Sequence, residues 1–211
     1  MTDGAGPLGT AVALAVASGL SLYGTAFVAG LAIRLGWVQL GPAFASLGAL
    51  SDPVVLSVAG VLFAVEFLAD KVPVVDSVWD AIHTVIRPVG GALLASRALG
   101  ELSPVAEVLM LLLLGGATLA THTAKATTRL AVNASPEPVS NVLVSLAENG
   151  LVALAVWLAL THPLLALGAG LVALAVAVTL VVWVGRRALG ALARYRGRGS
   201  AHRSGSRAGP A

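Results

Sequence analysis

The sequence predicts an all-α fold, a polytopic transmembrane helical bundle of about six spans with broken or re-entrant polar segments. Of the 211 residues, 57% are hydrophobic and the mean hydropathy is +0.92. A soluble domain of this length rarely reaches such values, because it needs polar surface to cover its core. The apolar residues also fall in runs near the ~20 residues with which a helix crosses a bilayer. Outside the C-terminal tail, most charged residues gather in two segments, 66–88 and 122–149.

Six apolar stretches are expected to cross the membrane. They are 8–33, 53–69, 76–99, 104–121, 139–161 and 163–185. Asp52-Pro53 and Ser103-Pro104 predict helix starts, because each places a capping side chain before a proline that the first helical turn tolerates. Proline and two glycines at 88–91 predict a kink or break, so 76–99 either crosses or re-enters the membrane.

The C-terminal tail predicts the orientation. Seven arginines lie from residue 186 onward. Positive charge beside a last membrane helix favours the cytoplasmic side and contact with anionic lipid headgroups, so nucleic acid is not an expected partner. We therefore expect one transmembrane domain over 1–185 and a disordered basic tail over 186–211. Arginine outnumbers lysine eleven to two, which indicates the codon bias of a GC-rich bacterium, so the expected location is a bacterial inner membrane. Abundant small residues make a homodimer plausible.

The first charged segment has helical spacing. Asp76, Asp80, His83 and Arg87 are separated by 4, 3 and 4 residues, which places them on one helix face. Glu66 and Asp70 are likewise one turn apart, at the end of the preceding span, with Lys71 beside them. Charges are costly against lipid, so these faces should point toward each other, a water-filled cavity or the cytoplasmic interface.

The second charged segment supplies bases that match those acids. Together the two segments give fourteen candidate residues for binding a substrate or ion: Glu66, Asp70, Lys71, Asp76, Asp80, His83, Arg87, His122, Lys125, Arg129, Asn133, Glu137, Asn141 and Glu148. If a metal binds, its ligands would be Glu66, Asp70, Asp76 and Asp80, since hard cations prefer oxygen. No cofactor is expected, and the absence of cysteine excludes disulfides, thiolate catalysis and cysteine-ligated zinc.

The two segments also resemble a known family. "ADKVPVVDSVWDAIHTVIRP" (69–88), followed downstream by "AKATTRLAVNASPEPVSN" (124–141), is similar to the bacterial membrane-protein family catalogued as domain of unknown function 4126. The resemblance implies membership of a membrane-protein family and no particular activity. The chemistry has to come from the residues.

Three functions remain open at this point. The favoured one is a small transporter or channel that moves an ion or small solute through a buried polar site. An intramembrane enzyme acting on a lipid-linked substrate would use His83 as acid or base beside Arg87, although H-E-x-x-H, G-x-S-x-G and Walker signatures are absent, so no catalytic residue is assigned. A non-catalytic scaffold would dock through the basic tail. The polar residues could also serve only to fix helix packing.

Overall fold

The computed structural model describes residues 4–133 and 138–205, with side chains placed in 4–133 and 139–190. The described residues form helices and no strand, which confirms the all-α prediction. The α-helices are α1 (Ala5–Leu20), α2 (Leu22–Arg34), α3 (Pro53–Ala69), α4 (Pro73–Ser96), α5 (Pro104–Asn133), α6 (Pro138–Thr161) and α7 (Pro163–Gly205). Two 3-10 helices, Pro42–Ser51 and Arg97–Leu99, precede α3 and follow α4.

Three of the described helices are long and apolar enough to cross a membrane. They are α5, α6 from Val139, and α7 as far as Gly190. The 3-10 helix Pro42–Ser51 and α3 meet at 66° and would make a fourth if the bent pair is one span. Helices α1 and α2 are shorter and apolar. The count of six spans therefore stays a prediction.

The polarity of the bundle is inverted relative to a soluble protein. Large apolar side chains such as Val74, Val85 and Leu112 are exposed on its outside. Helix α1 lies at the centre, where its small side chains pack against α4, α5, α6 and α7. The charged side chains of α3, α4 and α5 are buried, with the exception of Glu107 at the start of α5. This is the distribution expected of helices surrounded by lipid.

The sequence predicted one helix over the apolar run 8–33, but the structure has two helices there. Ser21 is extended (φ −152°, ψ 107°) and separates α1 from α2. Its hydroxyl caps α2 by accepting the Gly24 N–H at 3.0 Å. Serine is a preferred N-cap because its oxygen replaces a missing main-chain acceptor, so the break satisfies its own first turn.

Helix α4 continues through residues 88–91, where the sequence predicted a kink or break. Pro88 lies inside the helix. The two glycines serve close packing instead: a Cβ on Gly91 would lie 2.6 Å from Thr118 Oγ1, and one on Gly90 would lie 2.6 Å from a Leu22 methyl carbon. The absence of side chains lets neighbouring helices approach α4 here.

Two of the remaining helix starts follow the sequence, whereas α4 begins at Pro73 rather than at residue 76 and α5 continues to Asn133, past the predicted span 104–121. Asp52 caps α3 by accepting the N–H groups of Val54 and Val55, and α5 begins at Pro104, both as predicted. Helix α7 runs to Gly205, whereas the sequence favoured an unstructured basic tail from residue 186. Alanine, leucine and arginine are good helix formers and let the helix continue. The separate role of the tail stays a prediction.

Candidate functional site: an ion-pair cluster at a helix break

The predicted polar faces of α4 and α5 meet in the interior of the bundle. Asp76, Asp80, His83 and Arg87 on α4 are all buried, as their spacing predicted. On α5 the buried face carries Thr118, His122, Lys125 and Arg129. We call the charged residues gathered there the ion-pair cluster: Glu66, Asp70, Asp76, Asp80, Arg87, Lys125, Arg129 and Glu148.

Arg87 is shared by two carboxylates. Its Nη2 lies 2.5 Å from Glu66 Oε1, and its Nη1 lies 3.1 Å from Asp80 Oδ1. The guanidinium is fully buried, and both partners are nearly so. Its planar fork of donors allows one cation to serve acceptors from two helices. Arg87 thereby links the end of α3 to the middle of α4.

Lys125 is also shared by two carboxylates. Its Nζ lies 3.3 Å from Asp70 Oδ2 and 3.7 Å from Glu148 Oε2, so it connects α5 with the end of α3 and with α6. The first distance is within hydrogen-bond range, and the second is an ion-pair contact without a hydrogen bond.

Arg129 pairs with one carboxylate, Asp76, which also accepts a hydrogen bond from a second donor. Arg129 Nε donates to Asp76 Oδ2 at 3.1 Å, while Asn133 Nδ2 donates to the same oxygen at 2.6 Å. The guanidinium also donates to the main-chain oxygens of Asp70 and Asn141. This end of the cluster ties α4, α5 and α6 together in a matched pair.

Both histidines of the site have hydrogen-bond partners on each ring nitrogen. His122 Nδ1 lies 2.6 Å from Arg87 Nη1, which only donates, so Nδ1 accepts and Nε2 carries the hydrogen toward Asp80 O at 3.1 Å. His83 Nδ1 donates to Trp79 O at 2.8 Å, and its Nε2 lies 3.2 Å from the Tyr23 hydroxyl, which can donate or accept. The roles of the His122 nitrogens follow from their partners, so the His122 ring adds no positive charge to the cluster.

The break between α1 and α2 lies inside the cluster, which the sequence interpretation missed. Ser21 Oγ donates to Glu66 Oε2 at 2.6 Å, while Gly19 O and Leu20 O accept from Arg87 and Lys125 at 3.5 and 3.0 Å. The last carbonyls of a helix are unpaired and carry partial negative charge, so they suit cations. Ser21 between Gly19 and Gly24, in an apolar run, was the available signal.

The structure brings most of the fourteen candidates together. Lys71 stands beside the cluster without a carboxylate partner in the described part of the chain: its Nζ donates to Phe67 O and Ser145 Oγ and lies 3.2 Å from the centre of the Phe67 ring. Asn141 contributes its carbonyl to Arg129, as described above. Glu137 lies outside the described residues.

Residues 8–186 match the family model described as "Domain of unknown function (DUF4126)". The chain belongs to this family. Comparison with curated proteins and with solved structures finds no match. Both charged segments of the DUF4126 chain lie within the matched region, as their resemblance predicted, and the family description assigns them no activity.

The geometry of the DUF4126 site does not favour a metal centre. Among the described side chains, those of residues 4–133 and 139–190, no group of three or more from His, Asp or Glu could hold a metal ion. Each of Glu66, Asp70, Asp76 and Asp80 instead faces an arginine or lysine. A metal would have to compete with those cations for its ligands.

A cleft of about 260 Å³ lies between α4 and α5, beside the cluster. Its wall includes Asp76, Asp80, Thr84 and Arg129. Asp76 Oδ1 is buried and has no hydrogen-bond partner among the described residues. A buried carboxylate oxygen without a donor calls for water or a ligand beside it. The cleft therefore lies next to a carboxylate of the cluster that has an unpartnered oxygen.

Proposed function

We propose that this DUF4126 protein is a small transporter or channel that moves an ion or small solute through the ion-pair cluster. The observation that carries the proposal is the helix break at Ser21, which lies inside that cluster. In transporters, irregular backbone at membrane depth occurs where it lines a substrate or ion site. Here the broken ends of α1 and α2 contact Arg87, Lys125 and Glu66.

The amount of buried charge also supports a functional site. Packing alone can be achieved with glycine and alanine, and the buried alanines of α1 and the glycines of α4 already make close contacts of this kind. Burying an ion pair costs solvation energy that its Coulomb attraction often only just offsets. Burying five carboxylates and three cations in one interior therefore costs more solvation free energy than helix packing alone requires.

The enzyme alternative has less support. All four ring nitrogens of His83 and His122 lie within hydrogen-bond distance of other groups of the bundle. A general acid or base needs a nitrogen that can reach its substrate.

As part of the transporter proposal, we place the chain in a bacterial inner membrane as a multi-pass protein, with its arginine tail against anionic headgroups on the cytoplasmic side. A homodimer is compatible with it.

Liposomes containing the purified protein test this proposal. Their light scattering is followed after a jump in the concentration of each of a panel of salts and small neutral solutes. We expect faster volume recovery than in empty liposomes for at least one solute, and loss of that effect in Asp70→Asn and Asp80→Asn. Glu107→Gln is the matched control, because Glu107 is an exposed acid in the first turn of α5. Unchanged flux in both cluster variants, with normal incorporation, would contradict the proposal.

A further inference from the structure

We propose that the carboxylate pair Asp70 and Glu148, bridged by Lys125, binds one exchangeable proton, with Glu148 as its acceptor. The proposal deepens the transporter function: the proton is the ion that the cluster moves or to which it couples a second solute. Its transport part rests on that proposed function, whereas the binding part stands on the geometry alone. Glu148 takes the proton from a hydronium ion on one side of the membrane: an O–H bond of hydronium breaks, water leaves and the carboxylic O–H bond forms. On the other side that O–H bond breaks and the proton passes to water.

The contacts of Lys125 divide unequally between its two carboxylates. Its Nζ is within hydrogen-bond range of both Asp70 oxygens, at 3.3 and 3.4 Å, and of Leu20 O at 3.0 Å. An ammonium has three hydrogens, and these acceptors engage them. Glu148 Oε2, at 3.7 Å, receives no hydrogen bond in the described part of the chain, although its side chain is only 13% exposed.

The cluster as a whole also contains more negative than positive charge. Five carboxylates face three paired cations. His122 accepts from Arg87 as a neutral ring, and His83 bonds to Trp79 O and the Tyr23 hydroxyl rather than to a carboxylate. Lys71 lies nearby, yet even with its charge counted one carboxylate remains without a compensating cation. Two acids that share one cation in a dry interior favour the state in which one of them is protonated.

Glu148 is the least stabilised of the five as an anion. Glu66 accepts from Arg87 and Ser21, and Asp76 accepts from Arg129 and Asn133. Asp80 accepts from Arg87, and Asp70 from Lys125. Each of these four has at least one hydrogen-bond donor from a cation.

The charged groups around Glu148 come from several elements. Lys125 and Arg129 act on it from α5, Asp70 from the end of α3 and Asp80 from α4. Lys71 reaches Ser145, one turn before Glu148 on α6. A proton suits this setting, because it needs a single oxygen, whereas a hard metal ion needs several that converge.

Infrared difference spectroscopy of the purified protein tests the binding part. Between acidic and alkaline buffer, we expect the carbonyl stretch of a protonated carboxylic acid, corresponding to one group. Glu148→Gln should abolish that signal, and Glu107→Gln should leave it unchanged. Asp70→Asn gives Lys125 to Glu148 alone, so the midpoint should move to lower pH by about one unit or more. A signal retained in Glu148→Gln and a midpoint unmoved in Asp70→Asn would overturn the inference.

Proton movement in liposomes tests the transport part separately. An internal pH dye is followed after an external pH jump, with potassium and valinomycin clamping the voltage. We expect acidification that Glu148→Gln slows at least tenfold. The infrared signal without any flux would leave the binding site in place and refute transport. Solute flux that is independent of pH, with no infrared signal from Glu148, would refute the proton inference and leave the transporter proposal standing.

Discussion

Arg129 and Lys125 lie one turn apart on the same face of α5, yet they have different surroundings. Arg129 faces one carboxylate, Asp76, which also receives Asn133. Lys125 faces two, Asp70 and Glu148, and one of them is out of hydrogen-bond range. Arg87 on α4 resembles Lys125 in serving two acids.

The difference separates two uses of buried charge. A matched pair with extra donors has one favoured charge state, so it acts as a fixed connection between helices. A shared cation leaves an acid whose charge depends on what else is present. We infer that the Asp76–Arg129 end holds the bundle together and that the Arg87 and Lys125 ends carry the chemistry.

Arg87→Met should have the largest effect on stability. It leaves Glu66 and Asp80 buried without their cation, and removing one partner of a buried pair costs about 3–5 kcal/mol. We expect the upper end of that range in denaturant unfolding in mixed micelles. Adding Glu66→Gln should recover only part of the loss, because Asp80 stays uncompensated. Full recovery in that double variant would show that Arg87 is not truly shared.

Arg129→Met should have a smaller effect, about 3 kcal/mol in the same unfolding measurement, because only Asp76 loses its cation. The double variant Asp76→Asn with Arg129→Met should recover most of that loss, since no charge is left unpaired. Solute flux should survive in the double variant. Loss of flux with recovered stability would mean that the matched pair also belongs to the transport machinery.

Gly19→Ala should have the smallest effect of the three on stability. A Cβ there would lie 2.6 Å from both Thr118 O and Thr121 Cβ, so α1 must move away from α5, at a cost of roughly 1–3 kcal/mol. The shift would draw Gly19 O and Leu20 O away from Arg87 and Lys125, so flux should fall. Gly116→Ala is the control, because no atom lies within 4 Å of its added carbon. If Gly19→Ala and Gly116→Ala gave the same flux, the position of the helix break would not control transport.

The sequence was sufficient to predict which polar residues share one face of a helix. Spacings of three and four residues predicted that Asp76, Asp80, His83 and Arg87 share one face, and all four are buried. The ends at Asp52, Pro104 and Thr161 could also be predicted, because capping residues and prolines act locally.

The pairing between helices could not be predicted in the same way. Which acid meets which base depends on the rotation of each helix against its neighbours, and this is set by packing across the bundle. The break at Ser21 was missed because its partners are Glu66 on α3 and main-chain carbonyls, which have no side-chain signature. The continuity of α4 was missed because its glycines allow close packing against Thr118 and Leu22, which lie on other helices. The sequence of α4 alone does not reveal these contacts.

The hydrogen bond from Arg87 to His122 has a consequence of its own. Arg87 donates a hydrogen bond to His122 Nδ1 at 2.6 Å. This nitrogen can either accept that bond or carry a hydrogen of its own, but not both at once. Any movement that withdraws Arg87 from Glu66 and Asp80 also changes the electronic environment of that nitrogen. The imidazole therefore serves as a spectroscopic reporter inside the bundle, whose ¹⁵N resonance follows the state of the shared arginine without an added label at the surface.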